Sequence, residues 1–297
     1  MIELQKRLQL QSHLLRIAHQ YYLGLGYDPI ASPKIVPFKD DHPDHLIRVH
    51  ITDREEELFL SRSPQLYKEI ACLKSANGKV YEIGPVFRGE PQGDGRRANE
   101  FIGIDAELKT NNLDKILTSL TQLIFFIKED SEMQGYLKAE KIDANFPDEL
   151  INISYKEALQ ILKADEIDSI AEQNLSEYVN RNSPKKRWIY LVDFPAKSRG
   201  FYHIRYDVTD SFDLIAGWEI CSGGLRRQDI SAYFHLLRTI GWSTDEMETY
   251  ATIKDHHQTN TGGYGIGLER LAGTIINEMN IGTIQPYPRI PETKITF

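Results

Sequence analysis

Two long strand-like runs, VYEIGPVFRGE and EFIGIDAELK, are separated by a loop rich in Gly and Arg, and shorter runs of the same kind, LIRVHIT and ELFL, precede them. β-branched and aromatic residues fill these runs, and turn signals such as Asn77-Gly78 divide them. Helical patterns stand between groups of strands without the regular alternation of parallel βαβ units. The chain is therefore predicted to have an α+β fold, built on an antiparallel β-sheet flanked by helices.

The helical patterns have clear boundaries. Apolar spacing predicts an amphipathic helix over residues 3–23, which ends where Gly and Pro enter the segment GLGYDPIASP. A shorter helix is expected in SPQLYKEIACLKS, with Ser63 as its cap and Pro64 in its first turn. Residues 111–180 are mostly helical in pattern, which predicts a helical insertion that divides the sheet. Strands are expected to resume at RWIYLVDF, FYHIRYDV and SFDLIAGWEICSG, followed by a helix in RRQDISAYFHLLRTIGW and a Gly-rich strand and helix in TGGYGIGLERLAGTIINEM.

Composition limits the classes of protein that the chain can represent. Its 297 residues, 41% of them hydrophobic, can supply the core of a single domain. A net charge of −8 argues against binding nucleic acid through bulk electrostatics, although a local basic groove is compatible with it. Cys72 and Cys221 lack metal-ligand spacing and are expected to be buried thiols in a reducing compartment. Without an apolar run that could span a membrane or serve as a signal peptide, we expect a cytoplasmic protein.

Charged residues alternate along the two long strand-like runs. Arg88 and Glu90 share one face of a strand by its period of two, as do Asp105 and Glu107. If the runs form a hairpin, all four side chains meet on one surface, although a solvated sheet face would show the same alternation. In the connecting loop, Arg96-Arg97 is well suited to phosphate capture. The pattern predicts a polyanionic ligand with a cationic centre.

The segment GGYGIGLER is rich in Gly, but Gly263, Gly265 and Gly267 do not satisfy the dinucleotide-binding pattern GxGxxG. The chain also lacks the GxxxxGK[ST] motif of a P-loop. Glycines here can let a flat ring approach the backbone, with Arg270 placed for an anion. The alternative is a Gly-rich strand followed by a surface arginine.

Five blocks of the sequence carry a resemblance to a known family. In order, they are GYDPIASP, SPQLYKE, YEIGPVFRGE with NEFIGIDAEL, SFDLIAGWEICSGGLRR, and GGYGIGLERLAG. Together they resemble the catalytic core of the class II aminoacyl-tRNA synthetases, specifically the aspartyl/asparaginyl group. The three signature motifs of that class correspond to the helix and strand ending at Pro33, the hairpin from Arg88 to Glu107, and the unit bearing Arg270. The resemblance spans residues 1–297 and implies one catalytic domain without the family's anticodon-binding domain.

The resemblance implies a site for ATP. Arg88 corresponds to the α-phosphate ligand, Phe101 to the residue against adenine, and Arg270 to the ligand on the γ-phosphate side. The magnesium-binding glutamate corresponds to Glu219, whereas Asp213 is one position away from the family's second metal ligand. The implied ATP-binding residues are Arg88, Glu90, Phe101, Glu219 and Arg270; those with catalytic roles are Arg88, Glu90 and Arg270; and the implied metal ligands are Glu219 and Asp213.

The resemblance also implies a site for an amino acid. Gln65 and Asp105 correspond to residues that hold the α-amino group, and Lys68 and Arg226 to residues that hold the side-chain carboxylate of aspartate. A lysine at position 68 favours aspartate over asparagine, although a solvated charge on a helix is its structural alternative. The implied amino-acid-binding residues are Ser63, Gln65, Lys68, Asp105 and Arg226.

The implied activity is that of an AMP-forming ligase that converts L-aspartate and ATP, with Mg²⁺, to aspartyl adenylate and pyrophosphate. A homodimer through motif 1 is expected. Resemblance in size and layout to an archaeal asparagine synthetase related to asparaginyl-tRNA synthetase favours ammonia as acceptor. A tRNA acceptor stem or a small amine is an alternative acceptor, and a silent paralogue that binds a partner is a further alternative. His256 and His257 lie either near the acceptor's entry or in an ordinary surface loop.

Overall fold

A computed structural model describes residues 3–37, 45–91, 93–181, 183–203, 207–226, 248–257 and 259–291. The strands are β1 (Asp28–Pro29), β2 (Ile35–Val36), β3 (Arg48–Val49), β4 (Leu58–Leu60), β5 (Lys79–Phe87), β6 (Glu100–Lys109), β7 (Glu149–Ser154), β8 (Arg187–Val192), β9 (Ser211–Ile215), β10 (Glu219–Arg226) and β11 (Thr261–Gly267). The α-helices are α1 (Leu4–Gly24), α2 (Gln65–Lys74), α3 (Leu113–Glu129), α4 (Ser131–Ala139), α5 (Tyr155–Leu162), α6 (Ser169–Arg181), α7 (Glu248–His256), α8 (Leu268–Ile275) and α9 (Ile281–Ile284). Two short 3₁₀ helices lie at Ala196–Ser198 and Phe201–His203.

The main sheet has eight strands in the order β1-β5-β6-β11-β10-β9-β8-β7, and β2, β4 and β3 form a small second sheet. From β5 to β8 in this order, each strand pairs with the next in antiparallel fashion, whereas the pairs β1–β5 and β8–β7 at the two edges are parallel. The α+β fold and the central antiparallel sheet are confirmed. The predicted hairpin is confirmed, since β5 and β6 pair from Lys79↔Leu108 to Phe87↔Glu100. The prediction that Arg88 and Glu90 share a face of its first strand is wrong, because β5 ends at Phe87.

The insertion over residues 111–180 is mainly helical, but the prediction missed one strand within it. Strand β7 extends the main sheet by pairing in parallel with β8, for example at Ile151↔Ile189. Ile153 of β7 packs with Ala158, Leu175 and Ile189 in a small core of its own. A strand of six residues between longer helices is too short to change the helical pattern of the whole segment, which is why the sequence did not reveal it.

The run FYHIRYDV was predicted to be a strand, and in the described part of the chain this prediction is wrong. Phe201–His203 forms a 3₁₀ helix, and Val208 makes only an isolated bridge with Pro195. The physical reason is that β9 already has β8 and β10 on its two edges, so the sheet offers this segment no edge there. Except for Arg226, the helix predicted in RRQDISAYFHLLRTIGW lies outside the described residues.

Alternation along β6 separates the core of the protein from the site. Ile104, Ala106 and Leu108 belong to the hydrophobic core together with buried residues of α1 and α3, such as Leu14 and Ile116. Each buried aliphatic side chain of this kind contributes about 1.5–3 kcal/mol of transfer free energy. The residues between them, Gly103, Asp105 and Glu107, point to the opposite face of the sheet by the period of two. Helices thus cover one face and leave the other face to a cavity.

Both cysteines are buried and free, as predicted. Burial raises the pKa of the Cys72 thiol and that of the Cys221 thiol, so neither has the character of a reactive thiolate. Across the described residues, the helices are too short or too polar to cross a membrane.

Candidate active site

A cavity of about 570 Å³ lies on the open face of the sheet, a volume typical of small-molecule sites. It is lined from α2, from the strands β6, β10 and β11, and from the segment 198–203. Every predicted site residue except Asp213 lines it. Arg and Lys outnumber Asp and Glu in this lining, although the chain as a whole has a net charge of −8. The cavity is therefore a local cationic site on an acidic protein.

Gly265 and Asp105 line the floor of the cavity, and Gly263 and Glu107 lie next to them outside its lining. Gly263 and Gly265 of β11 pair with Glu107 and Asp105 of β6. A Cβ atom at position 265 would lie 2.8 Å from Oδ1 of Asp105, and one at position 263 would clash with Oε2 of Glu107 and with the Ala106 carbonyl oxygen. Glycine is required at both positions because the carboxylates occupy the space that a side chain would need. The result is a flat floor on which a ligand can lie against the backbone.

Helix α2 places two predicted residues over this floor. The helix begins at Gln65, and Pro64 is its N-cap and not, as predicted, in its first turn. Ser63 lies one residue before the N-cap, and its hydroxyl accepts a hydrogen bond from the Gln65 backbone N–H at 3.2 Å. One turn later, Lys68 follows on the same face. The expected side-chain stabilisation of this helix start is present, although Ser63 is not itself the N-cap residue.

Lys68 is buried, with 1% of its side chain exposed, so the solvated alternative for this residue is wrong. Its Nζ donates to Asp105 Oδ1 at 2.9 Å and to the Tyr264 carbonyl at 3.2 Å. Glu107 Oε2 lies 3.8 Å away. A buried ammonium group requires such anionic and carbonyl partners, because an uncompensated charge in this position would be strongly destabilising.

Arg226 is held beside Lys68 by a second set of hydrogen bonds. Its Nε donates to Glu107 Oε1 at 3.2 Å, and its Nη2 donates to Gln65 Oε1 at 2.8 Å. The sequence placed Glu107 on the charged face without giving it a role; the structure shows that it anchors Arg226 under the cavity. Two cations, Lys68 and Arg226, thus face two carboxylates, Asp105 and Glu107, within one buried cluster.

His203, from the segment that was predicted as a strand, completes the surroundings of Arg226. Arg226 Nη1 lies 2.9 Å from Nε2 and 3.1 Å from Nδ1 of this buried ring. Burial lowers the pKa of His203 well below its ordinary value, and the nearby Arg226 and Arg199 lower it further. His203 is therefore a neutral wall of the cavity at physiological pH.

The opposite end of the cavity gathers guanidinium groups. Arg88 lies just beyond the end of β5, and its guanidinium carbon is 5.3 Å from the centroid of the Phe101 ring. Burial lowers the pKa of Arg88; Arg270 and Arg62 lower it further, whereas Glu219 opposes them. Guanidinium groups gathered in this way are electrostatically ready for an anion, and guanidinium offers paired donors to phosphate oxygens.

Arg96 and Arg97 were expected to capture phosphate at the tip of the loop. The side chain of Arg96 has different partners: it donates to Glu172 Oε2 at 2.9 Å and to the Ser169 carbonyl at 2.8 Å, both in α6. Arg97 is half exposed, and 3.9 Å separates it from a carboxylate oxygen of Glu90. The loop is therefore fixed to the insertion through Arg96, whereas Arg97 stays at the cavity's rim.

The two predicted metal ligands are in different surroundings. Glu219 lines the cavity, whereas Asp213 is buried and its Oδ2 lies 2.6 Å from Nη2 of Arg199. Burial raises the pKa of Asp213, Glu219 raises it further, and Arg199 opposes the change. Asp213 Oδ1 has no hydrogen-bond partner among the described residues, which also contain no cluster of three acidic, His or Cys ligands for a metal ion. The donors present fit a magnesium ion held by Glu219 together with substrate oxygens, which is a usual arrangement for this ion.

His256 is the last residue of helix α7 and His257 directly follows the helix; neither residue lines the cavity. This position agrees with the alternative of an ordinary surface loop.

Comparison with known proteins gives a consistent family. A family model described as class II tRNA synthetases (D, K and N) matches residues 2–291. An aspartate–tRNA(Asp) ligase of Pyrococcus abyssi is 28% identical over 95% of this chain and 67% of its own length. An aspartate–tRNA(Asp/Asn) ligase of Archaeoglobus fulgidus is 28% identical over 93% of this chain and 67% of its own. The crystal structure of asparaginyl-tRNA synthetase from Pyrococcus horikoshii, complexed with asparaginyl-adenylate, superposes with a TM-score of 0.88 at 22% identity, covering 99% of this chain and 70% of that one.

Proposed function

The chain belongs to the class II tRNA synthetases of the D, K and N group, and we propose that it activates L-aspartate with ATP, forming aspartyl adenylate and pyrophosphate. The observation that carries this proposal is the buried cluster of Lys68, Asp105 and Arg226 in one cavity with Arg88 and Arg270. The cluster contains two cations for the carboxylates of the amino acid and one carboxylate for its ammonium group. The arginines at the other end offer donors to a triphosphate.

In the proposed complex, adenine stacks on Phe101, and the α-phosphate lies between Arg88 and the floor. Arg270, on the same side as Glu219, takes the γ-phosphate side. The short distance between Arg88 and Phe101 supports this arrangement, because a guanidinium beside an aromatic face leaves that face in a cationic environment suited to a nucleotide. Glu90, which also lines the cavity, is proposed to contact the nucleotide from the side of the loop after β5.

Aspartate binds at the floor. Its ammonium group takes Asp105 and Gln65 as partners, and its side-chain carboxylate takes Lys68 and Arg226, with the hydroxyl of Ser63 at the edge. Lys68 supports aspartate over asparagine, because a buried ammonium is better compensated by a second carboxylate than by a neutral amide. Asp105 is already paired with Lys68, and Glu107 with Arg226. The negative charge of the substrate's carboxylate therefore balances the excess positive charge of the other cavity residues.

The chemistry of activation needs no covalent bond to the protein. One oxygen of the aspartate carboxylate that faces ATP attacks the α-phosphorus, the bond to the β-phosphate oxygen breaks, and pyrophosphate leaves. Negative charge grows on the phosphoryl oxygens in the transition state, and Arg88 stabilises it with fixed donors. Holding both substrates on one rigid sheet supplies the remaining acceleration through orientation.

Magnesium, when bound, neutralises phosphate charge and helps pyrophosphate to leave. We propose that Glu219 holds it. Arg199 holds Asp213 through Oδ2, so Oδ1 is the oxygen that Asp213 could contribute.

As the acceptor we propose ammonia, which attacks the acyl carbon of the adenylate. Asparagine is the side-chain amide, so this route requires aspartate to bind with its side-chain carboxylate at the α-phosphorus and its α-carboxylate at Lys68 and Arg226, the reverse of the arrangement that would charge a tRNA. The C–N bond forms at the side-chain acyl carbon, the bond to the phosphate oxygen of AMP breaks, and one proton of the nitrogen passes to solvent, giving asparagine and AMP. The acidic surface supports a small acceptor: because the cavity is rich in cations, the rest of the chain is more acidic than the net charge of −8 indicates. Nucleic-acid binding normally draws much of its affinity from Lys and Arg contacts to phosphates.

The competing acceptor is tRNA, which the names of the relatives favour. Purified protein incubated with ATP, Mg²⁺ and labelled aspartate, with either ammonium or total tRNA, separates the two. Labelled free asparagine in the ammonium reaction supports the proposal. Acid-stable, base-labile label on tRNA, without asparagine, would overturn ammonia as the acceptor while leaving the activation step intact.

We propose that the protein acts as a homodimer through motif 1. Four leucines in and directly after α1 are exposed, namely Leu4, Leu8, Leu23 and Leu25. Covering them would remove apolar surface from water, which favours association.

A further inference from the structure

Helix α6 of the insertion contacts the turn between β9 and β10. Its Glu172 carboxylate accepts a hydrogen bond from the backbone N–H of Glu219 at 3.1 Å. One turn further, the hydroxyl of Ser176 accepts from the Gly217 N–H at 2.8 Å. The insertion is thus fixed to the strand that carries the proposed metal ligand.

The same carboxylate oxygen of Glu172 also accepts from Arg96 Nη2 at 2.9 Å. Arg96 belongs to the loop that follows β5, so one side chain of the insertion holds both this loop and the start of β10. With 17% of its side chain exposed, Glu172 sits in a partly buried setting where a charge-assisted hydrogen bond is stronger than at the surface.

Arg270 closes the arrangement into a ring. Its Nε and Nη2 donate to the carbonyl oxygen of Arg96 at 3.3 and 3.2 Å, and its Nη1 donates to the Glu219 carbonyl at 2.9 Å. Arg270 is therefore oriented by two backbone carbonyls, and both belong to residues that Glu172 holds. Glu172 itself does not line the cavity, so any effect on a ligand passes through these neighbours.

We propose that Glu172 is a positioning residue of the nucleotide site, which fixes Arg96 and Glu219 so that Arg270 is oriented for the triphosphate. The role of Arg270 in this inference rests on the proposed function. The helical insertion then contributes to the geometry of the active site, because the position of the loop after β5 depends on its contacts with α6. Loss of the Glu172 carboxylate removes the anionic partner of Arg96 and the acceptor of the Glu219 N–H in one step.

The test is the variant Glu172→Gln in aspartate-dependent ATP–pyrophosphate exchange. We expect the KM for ATP to rise about tenfold, the usual effect of losing a charged hydrogen bond, while the KM for aspartate changes by less than about twofold. Glu177→Gln is the matched control, because Glu177 is an exposed residue of the same helix. An unchanged KM for ATP, or an equal rise in both KM values, would overturn the inference.

The variant Arg96→Ala supplies a second test. Residues of one hydrogen-bond network are not additive, so Arg96→Ala combined with Glu172→Gln should raise the KM for ATP no further than the worse single variant. If the increases in the KM for ATP were additive in the double variant, Arg96 and Glu172 would not act through one hydrogen-bond network. If the unaltered protein shows no exchange with any amino acid, the proposed function fails, and calorimetric titration with ATP and Mg²⁺ still tests Glu172: equal ATP affinity of variant and unaltered protein overturns its role.

Discussion

Lys68 and Asp105 form a buried ion pair, with 2.9 Å between Nζ and Oδ1, on the floor of the cavity. The lysine comes from a helix and the aspartate from the sheet below it, so the pair fixes α2 onto β6. In the proposed reaction, both residues also bind aspartate, and each takes one of its charged groups. A substrate that carries both charges can replace the contact that the two residues make with each other.

Replacing Lys68 tests this relationship. Lys68→Met keeps the apolar stem but leaves Asp105 without its ammonium partner. We expect the KM for aspartate to rise about 100-fold while the KM for ATP stays within about threefold, because a charged hydrogen bond is worth roughly 1.5–3 kcal/mol. Removing one partner of a buried pair should also lower the free energy of unfolding by about 3–5 kcal/mol. Initial-rate kinetics and urea denaturation measure these two quantities.

Lys74→Met, at an exposed position of the same helix, is the control and should change neither quantity. An unchanged KM for aspartate in Lys68→Met would contradict the assignment of Lys68 to the aspartate site.

The two arginines at the phosphate end are expected to act on the chemical step. Arg88→Ala and Arg270→Ala should each lower pyrophosphate exchange by about 100-fold or more, the usual loss when a fixed transition-state donor is removed. Circular dichroism should show both variants folded. Arg48→Ala, at a side chain that is largely exposed, is the control and should retain full exchange. Full activity in Arg88→Ala would refute the placement of the α-phosphate.

Gly265 gives a steric test of the floor. In Gly265→Ala, the new Cβ would lie 2.8 Å from Asp105 Oδ1, so the carboxylate must move away from Lys68. We expect the KM for aspartate to rise by about tenfold or more, since loss of a charged hydrogen bond costs that much. Gly135→Ala, in helix α4, is the control: its Cβ meets nothing within 4 Å, and the change should be neutral or slightly stabilising. Equal kinetics for the two variants would show that Asp105 does not contact the substrate.

Glu269 should make stability depend on pH. Burial raises the pKa of this carboxyl to about 7, and the nearby Glu100 adds to the effect, whereas the donors Gln285 and Ile102 oppose it. The unfolded chain ionises near the ordinary value of 4.5, so the folded state binds more protons between these two values and its stability falls as pH rises through them. Above pH 7 the free energy of unfolding has lost the full contribution of this group, which is at most roughly 3 kcal/mol. Glu269→Gln should flatten the profile of unfolding free energy between pH 4.5 and 7, and Glu177→Gln should leave it as it is. An unchanged slope in Glu269→Gln would contradict the raised pKa.

The sequence predicted those parts of the fold that follow from local periodicity. The alternation of Ile104, Asp105, Ala106 and Glu107 predicted a strand with one apolar and one charged face, and the structure has that strand inside the sheet, between β5 and β11. Strand β7 was missed because its six residues are flanked by helices. The strand predicted at FYHIRYDV failed because a sheet edge is a tertiary property, and both edges of β9 are occupied.

The same limit applies to the site. Arg88, Lys68 and Arg270 were found because they stand in motifs with a recognisable order. His203, Glu172 and Arg199 were missed, since their roles depend on contacts with Arg226, Arg96 and Asp213, which are distant in the chain. A single sequence does not show that a histidine will be buried between arginines. It also does not show that a glutamate will accept a hydrogen bond from a backbone N–H far along the chain. Such residues can be found only when the chain is folded.

Aspartate-dependent exchange of labelled pyrophosphate into ATP tests the central claim most directly, because it reports adenylate formation whatever the acceptor. Each of the twenty amino acids is tested with the unaltered protein and with Lys68→Met. We expect exchange with aspartate, little exchange with asparagine, and at subsaturating aspartate a large loss of exchange in the variant. Exchange with asparagine alone, or no exchange with aspartate, would contradict it.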